Sequence, residues 1–204
     1  MPLSREEIET PRSPSQLCAF VQRVMDEVRS DPVELASGNQ RRGYYKEFLD
    51  EVVPLASFAV HAYDETHTIQ PVLGNQGYDA IVRGSTGDIV DTVEIANPTD
   101  GAMVAADARL VAKNGIGAFR VGDPGDEIED LIPIVERIAT KKAVKDYSDA
   151  TVVFNVSALS PFKGFEGRHQ EQILRIRSTL VTAGFKAKRV FLLHPPGEVE
   201  RVDA

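Results

Sequence analysis

The 204-residue sequence contains a single cysteine, Cys18, so it cannot form an intrachain disulfide. One thiol also cannot build a zinc site made of several cysteines. A lone cysteine within an apolar helix pattern is usually a small core residue. Disulfides belong mainly to oxidising compartments, so a chain without them suits a reducing one, and we expect a cytoplasmic protein.

Long apolar runs are also missing. No uncharged stretch is longer than 13 residues, and the one at residues 52–63 contains Pro54 and His61, so none is long enough to span a bilayer. The N-terminus carries Arg5 and several glutamates within ten residues, which is not the pattern of a signal peptide. We therefore expect a soluble protein with no membrane partner.

Positive charge is in deficit, because 23 Lys and Arg face 31 Asp and Glu, for a net charge of −8. An acidic chain repels nucleic acid on average, so a nucleic-acid partner requires a local basic patch. The four histidines form no HxH or HxxxH pair, and a histidine metal site is not indicated. The motifs GxSxG, GxGxxG and GxxxxGK[ST] are absent, so neither serine hydrolysis nor nucleotide binding is indicated.

The first part of the chain predicts helices. Residues 1–12 are polar, and we expect them to be loosely held. A capping-box pattern at residues 13–16 precedes apolar residues at helical spacing, and residues 31–38 predict a further short helix. We predict an N-terminal helical arm over residues 1–38 and a single α/β domain over residues 39–204.

A helix is next predicted over residues 43–62, kinked or split at Pro54. The apolar period then changes from helical to two. The later elements are predicted strands at residues 68–73, 78–83, 89–96, 116–121, 151–156 and 190–193, with helices at 97–113, from 123, and at 165–183, and a polar, frayed tail after Pro196. Because a hairpin region precedes strands that are linked by crossover helices, we expect an α/β fold with a mixed sheet.

The predicted hairpin suggests a pair of opposed carboxylates. If its loop is the two residues Thr86 and Gly87, then Asp79 lies directly opposite Glu94 on the same face of the sheet. Opposed like charges destabilise a sheet unless a cation compensates them, and hard oxygen ligands suit Mg²⁺ or Mn²⁺. A longer loop would shift the register and separate the pair. The alternative is that both are ordinary polar residues at strand ends.

This pattern resembles the PD-(D/E)xK, or restriction-endonuclease-like, nuclease superfamily. The resemblance implies a helix, a three-stranded antiparallel meander flanked by helices, and a further strand. It also implies metal-dependent phosphodiester hydrolysis of nucleic acid with Mg²⁺ or Mn²⁺. Asp79 takes the position of the acid on the second strand and Glu94 that of the (D/E)xK acid on the third. Glu47 takes the position of an acid that the preceding helix often supplies.

The sequence departs from the motif at the lysine, where it has Ala96. Two alternatives remain open. Another cation reaches the site from a following helix, with Lys113 as the nearest candidate and Lys141 or Lys142 behind it. Otherwise the fold persists without cleavage, as a binding or assembly protein with an eroded active site.

Three lysines near the end of the long helix, Lys141, Lys142 and Lys145, are candidates for a strip that binds nucleic-acid phosphates. A solvated helix end that is favoured by the helix dipole is the alternative interpretation. Nucleic acid is therefore a candidate partner, and a homo-oligomer is compatible with the sequence.

Overall fold

The computed structural model describes residues 3–74, 76–99, 106, 109–110, 113, 124–156, 166–194 and 197–202, without side chains at 124–130 and 166–169. The strand predicted at residues 116–121 lies outside these ranges. Of the helix predicted at residues 97–113, the structure describes Ala106, Arg109, Leu110 and Lys113 beyond Thr99, and these four are helical.

The fold is α/β with a mixed sheet, as the order of elements predicts. Six strands are hydrogen-bonded in the order of the chain. They are β1 (Thr68–Pro71), β2 (Ala80–Arg83), β3 (Ile89–Ala96), β4 (Tyr147–Asn155), β5 (Ala187–His194) and β6 (Glu198–Arg201). The pairs β1–β2, β2–β3 and β5–β6 are antiparallel, whereas β4–β5 is parallel.

The helices account for much of the remaining described chain. They are α1 (Arg5–Glu9), α2 (Pro14–Ser30), α3 (Pro32–Asn39), α4 (Tyr45–Glu47), α5 (Val53–Ala62), α6 (Pro124–Ala143) and α7 (Glu166–Ala183), with a π-helical turn over Phe48–Val52 that joins α4 to α5. Within the described residues, none of these helices combines the length and apolarity needed to cross a membrane.

The chain forms two compact units. The first comprises Met1–Val93 and Gly101–Phe119, and the second comprises Glu94–Asp100 and Arg120–Ala204. The boundary passes through β3, between Val93 and Glu94. This division differs from the predicted one at residue 38, because α2 packs against α5 inside the first unit.

The N-terminal residues of the first unit are not loose, contrary to expectation. Ser4 caps α1 by accepting a hydrogen bond from the Glu7 N–H at 3.1 Å, and Ile8 is fully buried. Arg12 and Ile69 exchange two backbone hydrogen bonds, of 2.9 and 2.7 Å, at the edge of β1. Backbone pairing and one buried isoleucine therefore hold a segment whose composition is polar.

The helix predicted over residues 43–62 is continuous from Tyr45 but changes its hydrogen bonding at Phe48–Val52. The Val53 N–H bonds to the Phe48 carbonyl, five residues back, which defines a π turn. Pro54 begins the next helical segment, and a proline has no N–H to continue the α-helical ladder. The widened turn accommodates the proline without breaking the helix, and such turns are frequent at functional sites.

The hairpin between β2 and β3 has a different loop from the predicted one. The Gly84 N–H bonds to the Asp88 carbonyl at 3.0 Å, so the loop has three residues, with Gly87 at φ +86°. A turn that ends in a left-handed glycine is a common hairpin form. The register nevertheless places Ala80 opposite Val93, as predicted, because the pairing shifts between Val82 and Arg83.

The second unit has its own apolar core between α6, α7 and the sheet. Its fully buried members include Val135, Ala139, Val152, Phe154, Ile176 and Leu192. Ala96 belongs to the same cluster. The position at which the motif requires lysine therefore lies in an apolar environment.

The tail predicted to be frayed after Pro196 instead forms β6. Its residues pair antiparallel with β5, and Arg177 forms an ion pair with Glu200 at 2.6 Å. Val202, directly after the strand, is buried. Charged side chains on an edge strand discourage pairing with other chains, so this composition is compatible with an edge position.

Replacing Ala96 by lysine is expected to destabilise the second unit by about 3 kcal/mol or more, because an ammonium would enter the apolar core. Val144→Lys is the matched control. Val144 is 83% exposed, so this variant is expected to stay within about 0.5 kcal/mol of the unsubstituted protein. Urea unfolding measures both, and equal stabilities of the two variants would refute the buried placement of Ala96.

Candidate functional site

In the first unit, the charges of Glu47 and Asp79 both act on the carboxyl of Glu51. Glu47 is the last residue of α4, and Glu51 lies one turn later in the π-helical turn. Asp79 directly precedes β2, where its N–H bonds to the Val93 carbonyl at 2.7 Å and its carbonyl accepts from the Val72 N–H at 2.9 Å. The helix and the hairpin thus each contribute acids to one group, here called the acidic group.

The protonation of Glu51 is strongly perturbed. Burial raises the pKa of Glu51, and repulsion from Asp79 and then from Glu47 raises it further, to about 7. Lys46 acts in the opposite direction. Glu51 is therefore partly protonated near neutral pH, which is uncommon for a glutamate and is typical of functional sites.

The sequence predicted Glu47 and Asp79 as site residues but missed Glu51. A signal was present, because Glu51 follows Glu47 at a spacing of four, the spacing of neighbours along one helix face. The Oε2 atom of Glu47 is buried and has no hydrogen-bond partner among the described residues. Buried polar atoms are nearly always paired, so this oxygen lacks a donor or a cation.

The acidic group is compatible with a divalent cation but does not enclose one. The described residues contain no group of three or more His, Cys, Asp or Glu side chains placed to hold a metal ion. Mg²⁺ commonly uses only one or two protein carboxylates and completes its shell with water and substrate phosphate. The donor chemistry and the orphaned oxygen of Glu47 therefore fit such an ion, with few protein ligands.

Glu94 of the second unit forms a largely buried ion pair with Lys142, near the end of α6. The hydroxyl of Tyr147, at the start of β4, donates a long hydrogen bond of 3.5 Å to the same Oε1 atom. The Lys142 ammonium lies 5.9 Å from the centroid of the Tyr147 ring, within the range of a cation–π interaction. A lysine from a later helix thus reaches Glu94 on β3.

The other predicted cations are placed differently. Lys113 is helical and exposed, and Lys141 and Lys145 are exposed. Lys142 is engaged with Glu94, so the predicted phosphate-binding strip retains Lys141 and Lys145 as its solvent-facing members. Asp79 and Glu94 belong to different compact units, and their joint coordination of one ion stays a prediction from the sequence.

No protein-family model matches the chain, and comparison with curated proteins and with solved structures likewise gives no match.

Glu51→Gln is expected to stabilise the protein at neutral and alkaline pH. Since folding raises the pKa of Glu51 from the ordinary 4.5 to about 7, the folded state binds more protons than the unfolded state between these values, and stability falls as pH rises through this window. The amide that replaces the carboxyl does not ionise, so the variant avoids this loss of stability. We expect the resulting gain to be about 1–2 kcal/mol above pH 7, after allowance for the partial exposure of Glu51.

Thermal unfolding at pH 4.5 and pH 8 measures the gain in stability from Glu51→Gln. Glu6→Gln is the control, because Glu6 is an exposed acid on α1. The stability of Glu51→Gln relative to the unsubstituted protein should rise between the two pH values, whereas that of Glu6→Gln should not. A gain that does not depend on pH would contradict the raised pKa of Glu51.

Lys142→Met is expected to destabilise the protein by about 3 kcal/mol, because it leaves the Glu94 carboxylate largely buried without its cation. The double variant Glu94→Gln/Lys142→Met removes both charges and should recover a large part of that loss. A double-mutant cycle from urea unfolding measures the coupling between the two residues. Additive effects of the two substitutions would show that the pair contributes no coupling.

Proposed function

We propose that the protein is a metal-dependent phosphodiester hydrolase that acts on nucleic acid, with a site like that of the PD-(D/E)xK nucleases. The observation that carries the proposal is the buried Glu47 Oε2 atom, which has no hydrogen-bond partner among the described residues, in a group of acids that also raises the pKa of Glu51. It supports a group of acids drawn from the helix and the second strand, the two elements that the resemblance assigns to metal binding.

Each acidic residue of the proposed site has its own role. Asp79 and Glu47 are the ligands for a Mg²⁺ or Mn²⁺ ion, and Glu51 holds or releases a proton beside them near neutral pH. When bound, the ion supplies a water of lowered pKa and offsets the charge that builds on the phosphate. Glu94 is the acid of the (D/E)xK-like strand and, in the sequence-based prediction, a further ligand.

Lys142 supplies the ammonium that the motif places at the position of Ala96. Its ion pair with Glu94 balances the charge of a largely buried carboxylate, and Tyr147 restrains the same oxygen. Lys142 is favoured over Lys113 for this role, because an ion pair with the predicted acid supports it.

A non-catalytic binding or assembly protein on the same fold is the second candidate. It is favoured by one observation, namely that the described residues lack a group of three or more side chains able to hold a metal ion. The two candidates differ in turnover. The hydrolase cleaves DNA or RNA in the presence of Mn²⁺, whereas the binding protein does not.

Asp79→Ala is expected to reduce Mn²⁺-dependent cleavage of DNA or RNA at least about 100-fold while the fold is retained, because it removes a metal ligand. Labelled single- and double-stranded oligonucleotides, incubated with Mn²⁺ or with EDTA and separated on a gel, measure the rate. Circular dichroism checks the fold.

Asp88→Ala is the matched control, because Asp88 is an exposed acid directly after the loop of the same hairpin. We expect it to cleave at the unsubstituted rate. Equal cleavage by Asp79→Ala would refute the assignment of Asp79, and the absence of any Mn²⁺-dependent cleavage by the unsubstituted protein would favour the binding protein.

A further inference from the structure

A short basic and aromatic segment leads directly into the helix that carries Glu47 and Glu51. Residues 41–46 read Arg-Arg-Gly-Tyr-Tyr-Lys, and we call them the basic segment. Three cations in six residues make a local concentration of positive charge in a chain of net charge −8. Such a local patch is what a nucleic-acid partner requires of an acidic protein.

The basic segment begins with the left-handed residue that follows α3. Arg41 is the non-glycine residue with positive φ, at +52°, in the part of the chain that the structure describes, and Gly43 also has positive φ. The N–H groups of Arg41 and Arg42 bond to the carbonyls of Gly38 and Ser37, each at 3.0 Å. These two bonds form the Schellman motif that ends α3, so a helix cap fixes the backbone at the start of the basic segment.

The side chains of the basic segment fall into two sets. Arg41 forms an ion pair with Asp50, and the buried Tyr45 donates a hydrogen bond to Glu34 at 2.6 Å. These two anchor the segment to the first unit. The other set, Arg42, Tyr44 and Lys46, is exposed, and neither Arg42 nor Lys46 forms an ion pair with a carboxylate of the described residues.

The basic segment also lies close to the acidic group. Lys46 directly precedes Glu47, and its charge acts on Glu51. If Lys46 holds a phosphate, the polynucleotide strand that carries this phosphate would therefore pass the carboxylates of the acidic group. Guanidinium and ammonium groups bind phosphate oxygens, and an exposed tyrosine ring stacks on a base that is not already stacked in a duplex.

We propose that the basic segment binds single-stranded nucleic acid, with Arg42 and Lys46 on successive phosphates and Tyr44 stacked on a base. The inference deepens the proposed hydrolase function, and it rests on that function for the role of the bound strand as a substrate. It assigns the substrate class, a single-stranded polynucleotide, and the residues that bring the strand to Glu47, Glu51 and Asp79.

Fluorescence anisotropy of 5′-labelled dT15 and rU15, measured in EDTA so that no cleavage occurs, tests the proposal. For two phosphate contacts, log affinity should fall with log salt with a slope of about −1.4. Arg42→Gln/Lys46→Gln should weaken binding roughly 10-fold and remove most of that slope. Tyr44→Ala should weaken binding roughly 10-fold, and Tyr44→Phe should restore it.

Two double variants with the same loss of charge serve as comparisons. Arg29→Gln/Lys188→Gln removes exposed cations elsewhere and should leave affinity nearly unchanged. Lys141→Gln/Lys145→Gln tests the lysine strip on α6. If the strip variant loses affinity and the Arg42/Lys46 variant does not, the proposal is overturned.

The binding assay separates this proposal from the hydrolase function. Binding that depends on Arg42, Tyr44 and Lys46 supports the inference even if Mn²⁺ produces no cleavage, in which case the hydrolase function alone fails. The inference is overturned if neither oligonucleotide binds, or if the duplex form of dT15 with dA15 binds more tightly than the single strand. The affinities for dT15 and rU15 are compared to distinguish DNA from RNA as the bound strand.

Discussion

The pairing of β2 with β3 is the constraint on which the candidate site depends. It places Ala80 opposite Val93 and ties the backbone of Asp79 to the same residue. A slip of one residue would turn every side chain of the hairpin to the opposite face. The loop is one residue longer than the shortest hairpin loop, and β3 carries an extra residue, Val90, between its paired positions. These two irregularities compensate, so the strands keep the register that the apolar pattern requires.

The structure accommodates carboxylates that are buried, as Asp91 and Glu94 are, or half-buried, as Glu51 is, in three different ways. Asp91 accepts a hydrogen bond from the Tyr63 hydroxyl at 2.8 Å, Glu94 pairs with Lys142, and Glu51 retains a proton up to about pH 7. The first two solutions stabilise a fixed arrangement, because the partner belongs to the protein. A proton exchanges with solvent and can be displaced by a cation. The carboxyl of Glu51 is therefore better suited to ligand binding than that of Glu94, which is paired with Lys142.

Much of the fold could be predicted from short-range pattern. Period-two runs on either side of a glycine-bearing loop predicted β2 and β3, and helical spacing predicted α2 and the helix that contains Pro54. The missed elements have weak patterns. The short helix α1 buries one isoleucine, and β6 alternates charges on an edge, where few side chains need to be apolar.

The missed parts of the site depend on packing rather than on local sequence. Lys142 meets Glu94 across 48 residues of chain, so no spacing rule selects it over Lys141 or Lys145. Glu51 differs from other glutamates only through its burial and its acidic neighbours. The sequence shows that Ala96 stands where the motif has lysine. Its burial within the apolar core of the second unit depends on tertiary packing, which the local sequence does not reveal.

The net charge of the protein and the local charge near the basic segment affect the binding of a polyanionic partner differently. At physiological ionic strength the Debye length is about 8 Å, so charges farther than this from a bound strand are largely screened, and the groups near the strand decide its affinity. The acidic group remains close to the basic segment and limits the electrostatic gain from Arg42 and Lys46. Stacking on Tyr44 is not screened by salt, so the aromatic contact becomes the larger share of affinity as ionic strength rises.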